Sequence, residues 1–210
     1  MFNNGLSRRS LFAGLSALFL LVVFIVVNEQ RSYQDSHKIL HQFEGIEREQ
    51  IPENINLQAK QIAFHDFESG NAADPASHLA PSGHDSRQSF EMSQQVQFSP
   101  GLWIKFKDLK PPDSSWIRAT GYIWFSCPPA GAKCSLVATC NHKGVNYKYM
   151  FVPFETENLK PNQWNRVSID YRIPKAPDGE DVLQAYFWYR GNGVMLVDDI
   201  EVKFFTNKKK

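Results

Sequence analysis

"WIRATGYIWFSC", residues 116–127, alternates between two kinds of side chain. Ile117, Ala119, Gly121, Ile123, Phe125 and Cys127 fall on one face, and Arg118, Tyr122, Trp124 and Ser126 on the other. A period of two is the signature of a strand, whose successive side chains point to opposite sides of the sheet. "VLQAYFWYR", residues 182–190, repeats the pattern, with Leu183, Ala185, Phe187 and Tyr189 opposing Gln184, Tyr186, Trp188 and Arg190. The first set in each strand reads as core. The second sets place large aromatics where an outer strand face is usually polar.

Working outward, short apolar or alternating runs bounded by Pro, Gly, Asn and Asp recur from Gln61 onward. They are "QIAFHDF", "SRQSFEMS", "GLWIKFKDL", "CSLVATC", "YKYMFVPF", "WNRVSIDYRI" and "GVMLVDDIEVKFF", beside the two strands above. Many short strands with no convincing helix between them predict an all-β sandwich or jelly roll. No fixed-period repeat is visible, which argues against a propeller or solenoid.

The first sixty residues have a different texture. An uncharged run from Ser10 to Asn28, apolar from Leu11 to Val27, follows Arg8 and Arg9. A run of this length just spans the roughly 30 Å hydrocarbon core as a helix, and the preceding arginines place the N-terminus in the cytoplasm. "SRRSLF" also suits a twin-arginine signal, but the run ends in "FIVVNEQR" with no small-residue cleavage site, which favours a retained anchor. The expectation is a single-pass bacterial inner-membrane protein. It has a cytoplasmic tail at 1–10, an anchor at 11–28, a stalk or linker at 29–60, a sandwich at 61–206 and a basic tail at 207–210. The C-terminal domain is then periplasmic or extracellular. The stalk is helical over about 31–44, with Tyr33, Leu40 and Phe43 on one face, or disordered; Pro52 begins a linker.

With 210 residues and a net charge of +1, the chain has no basic stripe of the kind nucleic acid requires. The three cysteines, Cys127, Cys134 and Cys140, allow at most one internal bridge. Cys127 and Cys134 flank the loop of a "FSCPPAGAKCSL" hairpin. A bridge there, with Cys140 free, and three buried thiols are both open readings. No C-x-x-C pair or regular histidine spacing suggests zinc. His37 and His41 sit four apart on the stalk as a solvated helix face. The scattered acids and histidines form no hydrolase motif, so no catalysis is expected.

From about 61 to 205 the chain resembles the jelly-roll carbohydrate-binding modules of the galactose-binding-like fold. The resemblance rests on the order of "FHDFESG", "PSGHDSRQSFEMSQQVQFSPG", "QWNRVSIDYRIP" and "YFWYRGNGVMLVDDIEV". It implies a jelly roll that binds glycan without chemistry. It also implies a structural calcium ion between the ends of the first and last strands, held by Glu68 with Asp198 and Asp199 and by carbonyls of "HLAPSGHDS", with Asp85 nearby. The other reading of the Asp pair is that one faces solvent and the other accepts hydrogen bonds from backbone amides.

Sugar recognition needs aromatic planes for the apolar face of a pyranose and polar side chains for its hydroxyls. Tyr122, Trp124, Gln184, Tyr186, Trp188 and Arg190 supply those types on two outer faces. The same aromatics also suit a cell-envelope protein partner, or packing under a loop. A glycan-binding module and an assembly subunit docking a protein are therefore the two functional expectations.

Overall fold

The computed structural model describes residues 48–53, 56–68, 78–126, 133–154, 157–176 and 178–208. The expected anchor at 11–28, the cytoplasmic tail, most of the stalk and Cys127 lie outside the described residues. Among the described residues no helix is long and apolar enough to cross a membrane.

The described chain is all-β apart from one helical turn. Its elements are β1 (Leu57–His65), β2 (Leu79–Ala80), β3 (Ser89–Met92), β4 (Leu102–Lys105), α1 (Phe106–Leu109), β5 (Trp116–Phe125), β6 (Cys134–His142), β7 (Val145–Pro153), β8 (Asn165–Arg172), β9 (Val182–Tyr189) and β10 (Met195–Asn207). Each of the nine runs singled out above overlaps one of these strands. β1 begins at Leu57 rather than Gln61, "GLWIKFKDL" turns from strand to helix at Phe106, and the two-residue β2 had no sequence signal.

Two sheets form the sandwich. The six-stranded sheet runs β2-β3-β10-β5-β8, with β1 also paired to β10. The four-stranded sheet runs β4-β9-β6-β7. The pairings within them are antiparallel. The inward faces supply the core as the alternation requires: Ile117, Ala119, Ile123 and Phe125 from β5 meet Leu183, Ala185, Phe187 and Tyr189 from β9. Burial of these faces is the main driving force for folding.

β10 carries the Asp pair, and a bulge resolves it. Between Asp198 and Glu201 the strand spends one residue more than β5 opposite. Asp199 takes the extra position at φ 48, a left-handed conformation that Asp tolerates better than most residues. Val197 and Ile200 can therefore both face the core although they are three apart, and both are buried. Without the bulge Asp199 would point inward.

The segment before β1 is strapped to the sheet. Arg48 donates to the Ser168 carbonyl at 3.0 Å and the Ile51 amide to Asp170 at 2.9 Å. Glu49 accepts from the Arg172 amide at 2.6 Å and from Lys148 Nζ at 2.7 Å. These contacts run along β8, the edge of the six-stranded sheet. An open edge is a template for wrong pairing, and this strap covers it.

Candidate functional site

The outward face of the four-stranded sheet is built in cross-strand rows. Trp103, Gln184, Thr139 and Tyr149 lie opposite one another across β4, β9, β6 and β7. The next row is Tyr186, Val137 and Phe151. The third is Trp188 with Ser135, and Phe98 bridges to Trp188 from the segment before β4. Six aromatic side chains thus share one face.

Their geometry suits a flat ligand. Phe98 stacks parallel to Trp188, 9° between planes and 6.3 Å between centroids, and meets Tyr186 edge-on at 5.7 Å. The Arg190 guanidinium sits 4.2 Å over the Trp188 ring, a cation–π contact that orients both groups, and donates to Ser135 Oγ at 3.3 Å. Phe98 is 56% exposed, Trp103 61% and Phe151 44%. Val137, between Tyr186 and Phe151, is wholly buried although it points away from the core. The aromatic layer therefore excludes water from the sheet beneath it. Burial pushes the Tyr149 hydroxyl well above the ordinary phenol range and raises that of Tyr186, and at Tyr149 the nearby Tyr186 adds to this while Arg190 opposes it. Both remain neutral hydrogen-bonding groups.

A cavity of about 350 Å³ opens between Phe98 and Trp103, floored by Gly101, Gln184 and Tyr186. Gly101 is required there by close approach, since a Cβ would lie 2.1 Å from the Ala185 carbonyl oxygen. That approach lets the chain turn from Phe98 to Trp103 flush against β9. A larger depression of about 760 Å³ lies elsewhere, between α1 and residues 172–179. Its Lys107 and Lys148 are already paired with Glu180 and Glu49.

Of the six ligand-binding residues read from the sequence, Gln184, Tyr186, Trp188 and Arg190 share this face. Tyr122 and Trp124 stand on β5, on the outer side of the other sheet. There His84 stacks on Tyr122 at 3.6 Å and 15°, with Trp164 edge-on to His84. Tyr122 is thus under a loop. Phe98, Trp103, Tyr149 and Phe151 were not singled out in the sequence. Strand alternation alone marks Trp103, Tyr149 and Phe151 as outward. Phe98 sits outside any named strand and had no such signal.

The loop covering Tyr122 is held by the carboxylates of the Asp pair. Asp198 Oδ2 accepts from the His84 amide at 2.7 Å and from Ser86 Oγ at 2.8 Å, and Oδ1 accepts from the Asp199 amide at 2.8 Å. Asp199 lies 3.3 Å from His84 Nδ1, which is also 3.3 Å from Asp85. Glu68 Oε1 accepts from the amides of Arg87 and Gln88. Burial pushes the Asp198 carboxyl above its ordinary value, the hydrogen bonds from His84, Ser86 and Asp199 oppose this, and the Asp199 charge adds to it. Calcium at Glu68, Asp198 and Asp199 would want further oxygens turned on the ion. The loop turns N–H and O–H donors on Glu68 and Asp198 instead. Glu68 Oε1 and both Asp198 oxygens are thereby already engaged by donors.

Cys134 and Cys140 are fully buried. The expected Cys127–Cys134 bridge falls on Cys127, outside the described residues. Cys140 is a free thiol, pushed up to about 11 by burial.

No family model matches the chain, and no curated protein matches it. Its structural neighbours include carbohydrate-binding modules. The CBM22-1 xylan-binding domain from Paenibacillus barcinonensis Xyn10C is 13% identical, with a TM-score of 0.47 over 72% of this chain and 97% of that one. A family 16 carbohydrate-binding module is 12% identical, with a TM-score of 0.38 over 59% of this chain and 82% of that one. The VP2 subviral particle of infectious bursal disease virus is 10% identical, with a TM-score of 0.37 over 78% of this chain and 36% of that one.

Proposed function

We propose that this chain is a non-catalytic glycan-binding module, held at the outer surface of a bacterial inner membrane by its N-terminal apolar run. The observation that carries the reading is the outward face of the four-stranded sheet. Exposed Phe98 and Trp103 flank a shallow cavity whose floor includes Gln184 and Tyr186. Beside it, Trp188 is fixed under Arg190. Aromatic planes take the C–H face of a pyranose, while Gln184 and Arg190 supply an amide and a guanidinium for its hydroxyls. The mechanism is binding alone: a rigid sheet presents planes in fixed register, so little side-chain entropy is lost on association.

The test is a glycan array probed with the full-length protein, run beside Trp103→Ala and Trp188→Ala. Wild type should bind a defined set of glycans, and both variants should lose that signal while melting as wild type does. An array silent at high loading, with an envelope protein captured through the same two tryptophans, would make the face a protein-docking surface instead.

A further inference from the structure

Beyond Trp188 the aromatic face ends in charge. None of the side chains in its three rows is charged, and Arg190, one alternation further along β9, is exposed. The register pairs Cys134 with Tyr189, so the next step along both chains sets Lys133 opposite Arg190. The Arg190 amide donates to the Lys133 carbonyl at 2.9 Å. Lys133 is exposed too. Two cations thus stand on facing backbones at one end of the sheet. Among the described residues no carboxylate pairs with either of them. Like charges directly opposite one another destabilise a sheet, so the arrangement works against the fold unless an anion sits there.

Arg190 is the informative member. Its guanidinium is held from two sides, over the Trp188 ring at 4.2 Å and by Ser135 Oγ at 3.3 Å. Ser135 is fully buried, so its hydroxyl is a fixed point. A guanidinium carries five N–H donors in a rigid fork. Among the described residues the bond to Ser135 engages only one of them. The group is therefore oriented in advance and still has donors to offer. Its charge also reaches across the face, since it opposes the rise at the Tyr149 hydroxyl two strands away.

We propose that the aromatic face selects acidic glycans, those with an oxyanion at the pyranose edge, and that Arg190 is the residue that reads the anion. The proposal rests on the glycan reading of this face and narrows it. A uronic acid or a sulfate ester carries its charge on a substituent of a ring carbon. The charge then projects from the edge of the sugar, and the C–H face stays apolar. A ring laid on exposed Phe98 lies beside Trp188, 9° from parallel to Phe98, and turns its edge towards the guanidinium stacked there. The planar fork meets an oxyanion with two N–H···O bonds at once. Lys133 adds a second positive charge without a fixed geometry. A neutral sugar makes the same ring contacts and leaves both cations without a counter-charge.

The experiment probes an array of matched glycans with the full-length protein. Each uronic-acid glycan stands beside its methyl ester, and each sulfated glycan beside its desulfated form. The acidic member of a pair should bind about tenfold tighter at low salt, the worth of one charge-assisted hydrogen bond. The ratio should shrink as salt is raised. The pair with the larger ratio identifies the oxyanion as carboxylate or sulfate. Arg190→Gln should bring the ratio close to one, and Arg190→Lys, which keeps the charge and loses the fork, should fall between. Lys175→Gln removes an exposed cation beside α1, far along the chain from Arg190, and should keep the wild-type ratio. Melting curves check that each variant is folded. Equal binding to charged and neutral members overturns the proposal and leaves the glycan reading standing. No binding to any glycan overturns both. A ratio that Arg190→Gln leaves unchanged assigns the preference to cations elsewhere and overturns the proposal. So does equal binding of polyglutamate, which has the charge without the pyranose.

Discussion

The two outer faces of this sandwich begin from the same pattern and end differently. On β5 and on β9 alike, large aromatics occupy alternate positions and point away from the core. On the four-stranded sheet they stay open: Phe98, Trp103 and Phe151 are exposed, and the rings pack mainly on one another. On the six-stranded sheet His84 closes over Tyr122, the loop behind it is pinned by Asp198 and Glu68, and residues 48–51 run along the β8 edge. The difference lies in the loops that reach each sheet, not in the strands. An outward aromatic stays open where no polar loop is held down over it.

The largest effect should come from unlocking the covered face. Asp198→Ala leaves the amides of His84 and Asp199 without their acceptor, while the Ser86 hydroxyl keeps the Gln88 carbonyl. Each unsatisfied buried donor costs roughly 1–3 kcal/mol, offset by no longer burying a charge. A loss of about 3 kcal/mol by denaturant melt is expected. Calcium should not shift the wild-type melt. A calcium-dependent rise abolished by Asp198→Ala would place an ion among these carboxylates and break the contrast. The pH dependence has a definite sign. The Asp198 carboxyl is raised above 3.8 in the fold, so the folded chain holds its proton more tightly than the unfolded one. Its contribution favours the fold at acid pH and is lost as pH rises from 3.8 through the raised folded value. Asp198→Asn should remove this slope in the window just above 3.8.

A crossed pair of substitutions separates the faces directly. Tyr122→Ala removes a ring stacked under His84 and should lower stability by about 2 kcal/mol while leaving glycan binding intact. Trp103→Ala removes a ring that is 61% exposed. It should leave stability within about 0.5 kcal/mol and weaken binding by about 2 kcal/mol, roughly thirtyfold. If Tyr122→Ala abolished binding instead, the covered face would be the recognition surface.

Sequence made the strands and their inward faces legible, because a period of two needs only neighbouring residues. Ile117 to Phe125 and Leu183 to Tyr189 are buried as the alternation requires. The Asp pair was visible as a conflict, but its answer needed the bulge at Asp199, which depends on the register with β5. The split of the expected binding residues between two sheets was equally hidden. Tyr122 and Tyr186 have the same local pattern, and only the strand order parts them. Phe98 reaches the site through a bridge to Trp188, a pairing between residues far apart in sequence.

The smallest effect should fall on the strap. Glu49 accepts from both the Lys148 ammonium and the Arg172 amide on the β8 edge, and Lys148 also donates to the Arg172 carbonyl at 2.6 Å. Its carboxylate is part-exposed, at 22% against 16% for Lys148, so solvent screens the ion pair and most of its worth is the hydrogen bond to the amide. Glu49→Ala should cost only about 1 kcal/mol. The sharper readout is local: amide hydrogen exchange at Arg172 should quicken, while exchange in β9 stays as it was, because no strap contact reaches that strand. Faster exchange throughout both sheets would mean that the strap holds the whole sandwich together. Exchange unchanged at Arg172 would mean that the β8 edge is protected by something other than residues 48–51, and the covered face would then owe its closure to the Asp198 loop alone.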